Sequence, residues 1–115
     1  KDAFWHAENV IVKNSVVNGE YLAWYSKNVT FENCKITGTQ PLCYCKNLKL
    51  INCKMVDADL CFEKSDLEAV LTTHVISIKN PCSGHIVLPY ADTVIMDDES
   101  AKAVICEKNK CCSCA

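Results

Sequence analysis

The chain has 115 residues, a formal net charge of −2 and an apolar fraction of 50%. This length suits one domain, and no apolar run approaches the roughly 18 residues that a membrane-spanning helix needs, so we expect no membrane partner. All twelve cationic side chains are lysines. Surfaces that bind DNA or RNA usually cluster arginines, so we expect no nucleic-acid partner either.

Similar segments recur along the chain at an offset of nineteen residues. Residues 9–17 (NVIVKNSVV) recur as 28–36 (NVTFENCKI) and as 47–55 (NLKLINCKM), and a fourth, fading copy begins at Asp66. A unit this small cannot bury its own apolar face, so successive copies must stack to form a continuous core. The repeat therefore predicts a solenoid.

Apolar and polar residues alternate within each copy, which is the period of a β-strand. Three short strands and three turns in nineteen residues predict an all-β, right-handed parallel β-helix with coils about 4.8 Å apart. Two inward columns are expected, each with one residue per coil: Val12, Phe31 and Leu50 in the first, and Val17, Ile36 and Met55 in the second. In the fourth copy, Thr72 aligns with Cys53, and His74 aligns with Met55.

Asparagines recur at two places in every copy. They occupy positions 9, 28 and 47, with Asp66 as the fourth member, and positions 14, 33 and 52, where the alternation is interrupted. Asparagine tolerates the left-handed backbone conformation, and equivalent asparagines in stacked strands can bond to one another as a ladder. We therefore expect corners of the coil at these positions.

A leucine-rich repeat is the nearest competing pattern, because Cys45, Leu48 and Leu50 have its spacing. Its asparagine should follow the second leucine by three places, whereas Asn52 follows by two, and its return path should contain a helix or 3₁₀ segment. No helical periodicity is present between Met55 and Leu67. The β-helix is the better interpretation.

We assign residues 1–100 to the coils and residues 101–115 to a C-terminal strand or cap with a cysteine-rich tail. A first coil starting at Ala3 would leave strand edges unpaired, and proteins usually cover such edges. We therefore expect preceding coils or another chain to cover the N-terminal coil.

Four strings beside the repeated strands are distinctive: Phe4-Trp5, and residues 19–26 (GEYLAWYS), 42–47 (LCYCKN) and 62–65 (FEKS). They resemble the C-terminal half of an uncharacterised, mostly bacterial domain-of-unknown-function family with a pectin-lyase-like fold. The resemblance covers roughly residues 1–100 and implies a β-helix that belongs to a longer protein. It implies no activity that can be transferred to a particular residue.

Ten cysteines are present. Cys34 and Cys53 share one repeat position, and Cys45 aligns with Ala7 and Ser26. Small, weakly polar residues thus exchange with the thiols, as expected for reduced cysteines packed in a core. We predict a cytoplasmic protein on this basis.

Four cysteines near the C-terminus lie outside the repeat: Cys106, Cys111, Cys112 and Cys114. Such a cluster of thiols could bind zinc or copper. Zinc sites usually combine two Cys-x-x-Cys pairs or one pair with histidines, and neither combination is present here. We therefore favour a tail without metal and expect no cofactor.

Asp57, Asp59 and Glu63 are the candidate catalytic carboxylates, because β-helices of the pectin-lyase type often cleave polysaccharides and glycoside hydrolysis needs paired carboxylates. This enzymatic alternative is a polysaccharide lyase or glycoside hydrolase. Solenoid turns commonly carry aspartates, so a solvated corner is the preferred interpretation of these residues.

Trp5 and Trp24 align in one aromatic column, and Tyr25 and Tyr44 align in the adjacent one. Strand alternation predicts that one column faces inward and the other outward. Sugars would pack their C–H faces on the outward rings, with Glu20, Gln40 and Glu63 bonding the hydroxyls. We therefore predict a binding or structural scaffold, with carbohydrate as the candidate ligand.

Overall fold

The computed structural model describes residues 3–110. Those residues contain ten strands and no helix: β1 Glu8–Lys13, β2 Val16–Asn18, β3 Lys27–Glu32, β4 Lys35–Thr37, β5 Lys46–Val56, β6 Asp66–Leu71, β7 Val75–Lys79, β8 Ser83–Leu88, β9 Ala91–Ile95 and β10 Val104–Glu107. Within the same range, no helix is present that could cross a membrane.

All the strand pairs are parallel, and they form three sheets. The first sheet has the order β1-β3-β5-β6-β8-β10; the second pairs β2 with β4 and β4 with the end of β5; the third pairs β7 with β9. The chain is thus a parallel β-solenoid of about five turns that repeat roughly every 19 residues. The predicted fold class is confirmed.

Both predicted core columns are present. Val12 pairs with Phe31, and Phe31 pairs with Leu50; Phe31 and Leu50 are fully buried, whereas Val12 in the first coil is partly exposed. The second column, Val17, Ile36 and Met55, is in register and buried as well. Strand alternation therefore identified the core correctly in the first three coils.

β1 pairs with β3 along one edge. The expectation that further coils or another chain cover its other edge stays a prediction, as does the division of the chain at residue 100. β10 joins the first sheet by pairing with β8, so that sheet extends past this division.

The repeated asparagines form the expected corners. All six, at positions 9, 14, 28, 33, 47 and 52, are left-handed, with φ between 50° and 58°. The amide nitrogen of Asn28 donates to the side-chain oxygen of Asn9 at 3.0 Å, and that of Asn47 donates to Asn28 at 2.7 Å. The ladder thus exists at the first asparagine position.

The fourth coil is shorter than the first three. The register shifts between Leu50 and Cys53, so that Leu71, not Thr72, pairs with Cys53. The predicted alignment of His74 with Met55 is wrong for the same reason. Thr73 lies beside Met55 instead, and its hydroxyl bonds to the Met55 backbone. His74 is exposed and stacks on Tyr90, with ring centroids 4.8 Å apart.

Candidate functional site

Turn segments, rather than strands, make up the third side of the solenoid at residues 3–7, 20–26 and 39–45. Alternate residues there have positive φ: 54° at Tyr21, 57° at Ala23 and 61° at Tyr25. The backbone N–H of Ala23 donates to Ala3 in the preceding coil, at 2.8 Å, and that of Tyr25 donates to Cys43 in the following coil, at 3.3 Å. These bonds fix the segments against their neighbours although no strand is formed.

Both aromatic columns reach the surface, so the prediction that one faces inward is wrong. Trp5 is 38% exposed and Tyr25 is 49% exposed, and Trp24 and Tyr44 are partly exposed. Residues with positive φ interrupt the two-residue alternation of a strand, which lets the adjacent side chains of Trp24 and Tyr25 lie on the same surface. The column of the tryptophans turns inward only further along, where Cys43 and Phe62 are fully buried.

The rings form two stacks along the solenoid axis. Trp5 and Trp24 are parallel within 6°, with centroids 5.7 Å apart. His6 stacks on Tyr25 at 5.4 Å, and Tyr25 stacks on Tyr44 at 5.0 Å, each pair parallel within 10°. We call these five residues the aromatic face.

Each tryptophan of the aromatic face is fixed by a hydrogen bond as well as by stacking. The indole Nε1 of Trp5 donates to the backbone oxygen of Tyr21, and that of Trp24 donates to Gln40, both at 2.7 Å. The acceptors lie in the next coil. The two indoles are therefore fixed in orientation at the surface.

The two stacks are inclined to each other, with an interplanar angle of 78° between Trp24 and Tyr25 and 76° between Trp24 and Tyr44. Packed atoms lie about 3.5–4.0 Å apart. Centroid distances of 5.0 to 5.7 Å between parallel rings therefore mean that neighbouring rings are offset. Part of each ring's face is therefore not covered by its stacking neighbour.

Tyr44 ends the second stack beside a carboxylate. Burial raises the pKa of the Tyr44 hydroxyl, and the negative charge of Glu63 raises it further. Glu63 also forms an ion pair with Lys79, with 3.6 Å between Oε2 and Nζ. Tyr44 thus presents a neutral hydroxyl at physiological pH.

The predicted hydroxyl-binding residues lie beside the aromatic face. Gln40 is partly buried, and its backbone oxygen accepts the Trp24 indole bond. Glu20 is exposed and precedes Tyr21, whose ring packs on Trp24 with centroids 5.1 Å apart. Sequence reasoning missed Tyr21, because the equivalent residue of the next coil is Gln40 and no aromatic column marks the position.

The three candidate carboxylates have separate environments. Asp59 accepts a hydrogen bond from the Thr39 hydroxyl, Glu63 pairs with Lys79, and Asp57 is exposed at the end of β5. No hydrogen bond links any two of the three within the described part of the chain. Their role as catalytic carboxylates stays a prediction.

The core thiols are free and buried. Cys34, Cys43, Cys45, Cys53 and Cys61 are buried and unbonded to one another. Burial raises the pKa of Cys43 to about 12 and also raises that of Cys45 and Cys53. Because the thiolate is the reactive form, these cysteines act as packing residues. The cytoplasmic location inferred from them stays a prediction.

The C-terminal cysteines remain mostly untested as metal ligands. Cys106 is disulfide-bonded, and Cys111, Cys112 and Cys114 lie outside the described residues. Among residues 3–110, no group of three or more histidine, cysteine or acidic side chains is arranged to hold a metal ion.

Comparison with known protein families gives a match over most of the chain. The family described as "Protein of unknown function (DUF3737)" matches residues 1–109, a range that includes all ten strands and the whole aromatic face. No curated protein and no solved structure matches the chain.

Proposed function

The chain belongs to the DUF3737 family, and we propose that it is a non-catalytic scaffold that binds carbohydrate through the aromatic face. The observation that carries this function is the pair of inclined ring stacks with Trp5 and Tyr25 substantially exposed. Sugars pack their C–H faces on aromatic rings, and each exposed ring offers a large, rigid apolar contact surface.

Polar groups around the rings suit a sugar ligand. Glu20 and the side chain of Gln40 lie beside the stacks, and neither makes a side-chain hydrogen bond within residues 3–110. The neutral Tyr44 hydroxyl, which interacts with Glu63, is a further polar group beside the rings. Together these groups complement hydroxyls at the edges of a bound sugar. No comparable observation favours the lyase or hydrolase alternative, since Asp59 and Glu63 are engaged with Thr39 and Lys79.

A Tyr25→Ala/Tyr44→Ala variant tests the proposal. Glycan-array screening should find a ligand for the parent protein, and titration should show that the double variant binds it at least about tenfold more weakly, because two ring contacts are lost. The matched control is Tyr90→Ala, which removes a stacked tyrosine outside the aromatic face and should leave affinity unchanged.

Circular dichroism should show the same β spectrum for all three proteins, so that a loss of binding is not a loss of fold. The carbohydrate proposal fails if the parent protein binds no glycan, or if the folded double variant binds as tightly as the parent.

A further inference from the structure

A surface groove lies away from the aromatic face. It runs along the corner where the first sheet turns into the second, at the ends of β1 and β3 and in the middle of β5, and has a volume of about 430 Å³. Its polar lining consists of Asn14, Asn33 and Asn52 with Ser15, Lys35 and Lys54. We call it the asparagine groove. It joins the two sides of the coil that do not carry the aromatic rings.

The asparagines of this groove differ from those of the other ladder. At positions 9, 28 and 47 the side-chain amides bond to one another. At positions 14, 33 and 52 the side-chain amides make no hydrogen bond to any residue in the range 3–110, and all three are exposed. One exposed amide per coil is thus left for a ligand.

The backbone beneath these amides is fixed. The N–H of Asn14 donates to Glu32, and that of Asn33 donates to Ile51, both at 2.9 Å. Their φ angles of 53° are those of a left-handed corner. The amides therefore stand on a rigid row at the coil spacing of about 4.8 Å.

Lysines provide a positive charge along the same row. Lys35 and Lys54 are direct partners in the pairing of β4 with β5, so two like charges are adjacent, which is unfavourable. No carboxylate lines the groove among the described residues. The carboxylate nearest in sequence belongs to Glu32 in the first sheet, where the strand register places Glu32 between Lys13 and Ile51. A bound anionic ligand would relieve the repulsion.

We propose that the asparagine groove binds an acidic polysaccharide, with the lysines on its carboxylates and the asparagine amides on its hydroxyls. A pyranose residue in an extended chain is about as long as the coil spacing of about 4.8 Å, so one sugar can meet each coil. An extended acidic peptide fits less well, since its side chains on one face recur every ~6.7 Å. Single-stranded nucleic acid needs arginines or stacking aromatic rings, and the groove contains neither.

A Lys35→Gln/Lys54→Gln variant tests this site, with a short oligogalacturonate as the probe. The parent protein should bind the probe with an affinity that falls as salt is added, because exposed charges are screened. The variant should bind at least about fivefold more weakly. The matched control is Lys27→Gln/Lys46→Gln, which removes another directly paired lysine couple outside the groove and should retain most of the affinity.

Asn33→Asp provides a second variant. Aspartate keeps the shape and tolerates the left-handed corner, so the fold should persist, while the added negative charge should weaken binding of the probe. A neutral glucan of equal length should bind poorly, and so should polyglutamate.

Three results would overturn the proposal: equal binding of the neutral glucan, tighter binding of polyglutamate, or equal losses in the two lysine variants, which would mean non-specific attraction. The Tyr25→Ala/Tyr44→Ala variant should still bind oligogalacturonate. Failure at the aromatic face is thereby distinguished from failure at the asparagine groove.

Discussion

At the scale of single residues, the solenoid depends on left-handed backbone positions. Asparagine occupies seven of these positions among the described residues, at little cost, because its short polar side chain tolerates this conformation. The turn segments use bulkier residues there, including Tyr21, Leu42 and Tyr44, with φ of 54°, 62° and 60°. Each costs roughly 1–2 kcal/mol, so the surrounding hydrogen bonds and ring stacks must hold them in place.

Gly38 is a position where no other residue fits. Its φ is +141°, and a Cβ built there would overlap the backbone oxygen of Gly19 in the preceding coil. Gly38→Ala should therefore lower the free energy of unfolding by about 2–4 kcal/mol, as measured by urea denaturation. Asn18→Ala, at a nearby exposed position, should change it by less than about 0.5 kcal/mol. Equal effects of the two substitutions would contradict the close approach of the coils.

At the scale of strands and segments, the sequence correctly predicted the residues that obey strict alternation. Val12, Phe31 and Leu50 were placed correctly because β1, β3 and β5 have ordinary strand geometry there. Trp24 and Tyr25 were not, since the alternation rule assumes negative φ and Tyr25 has φ of 61°. A sequence pattern does not reveal the sign of φ for an aromatic residue.

The fourth coil was misaligned for a different reason. The register shift between Leu50 and Cys53 moves Thr72 and His74 by one position. The alternation on either side of the shift is intact, so nothing in the pattern marks where the residue is lost. The candidate binding residues were nevertheless brought together, because Trp5, Trp24, Tyr25 and Tyr44 lie in coils that keep the nineteen-residue offset.

Phe31 is the central residue of the first core column. It is fully buried between Val12 and Leu50, and Phe4 packs edge-on against it at 5.8 Å. Phe31→Ala should lower the free energy of unfolding by about 3–5 kcal/mol. Val12→Ala, in the same column but partly exposed, should cost distinctly less. Chemical denaturation of both variants measures the difference, and similar losses would mean that the column is not closed around Phe31.

At the scale of the whole molecule, the solenoid is short and compact. Its radius of gyration is 12.5 Å, close to the ~13 Å expected for a globular chain of about 100 residues. The coils also become shorter along the chain. Glu8 pairs with Lys27, nineteen residues later, whereas Asp66 pairs with Ser83, only 17 residues later. The aromatic face and the asparagine groove both lie on the wider, regular coils.

Regular coils should be interchangeable. Inserting a second copy of residues 27–45 after residue 45 adds one full period. Because each repeat contacts mainly its neighbours, the new coil should stack between them. The melting temperature should therefore not fall. The control is the same insert lacking Thr30, which shifts the strand by one residue and turns its apolar side chains outward. That protein should melt at a lower temperature, and equal melting of the two inserts would show that register is not decisive.

Parallel pairing between successive coils also sets the order in which the chain can assemble. In the first sheet, β3 and β5 each pair with the strand nineteen residues earlier in the chain. That partner strand has already been synthesised when the later strand leaves the ribosome. At roughly 5–20 residues per second during translation, a coil is completed every ~1–4 s, far slower than the ~10–100 ns in which a ten-residue loop closes. Each coil therefore has time to dock before the next one is synthesised. The coils can thus stack in the order of translation, from β1 toward β10.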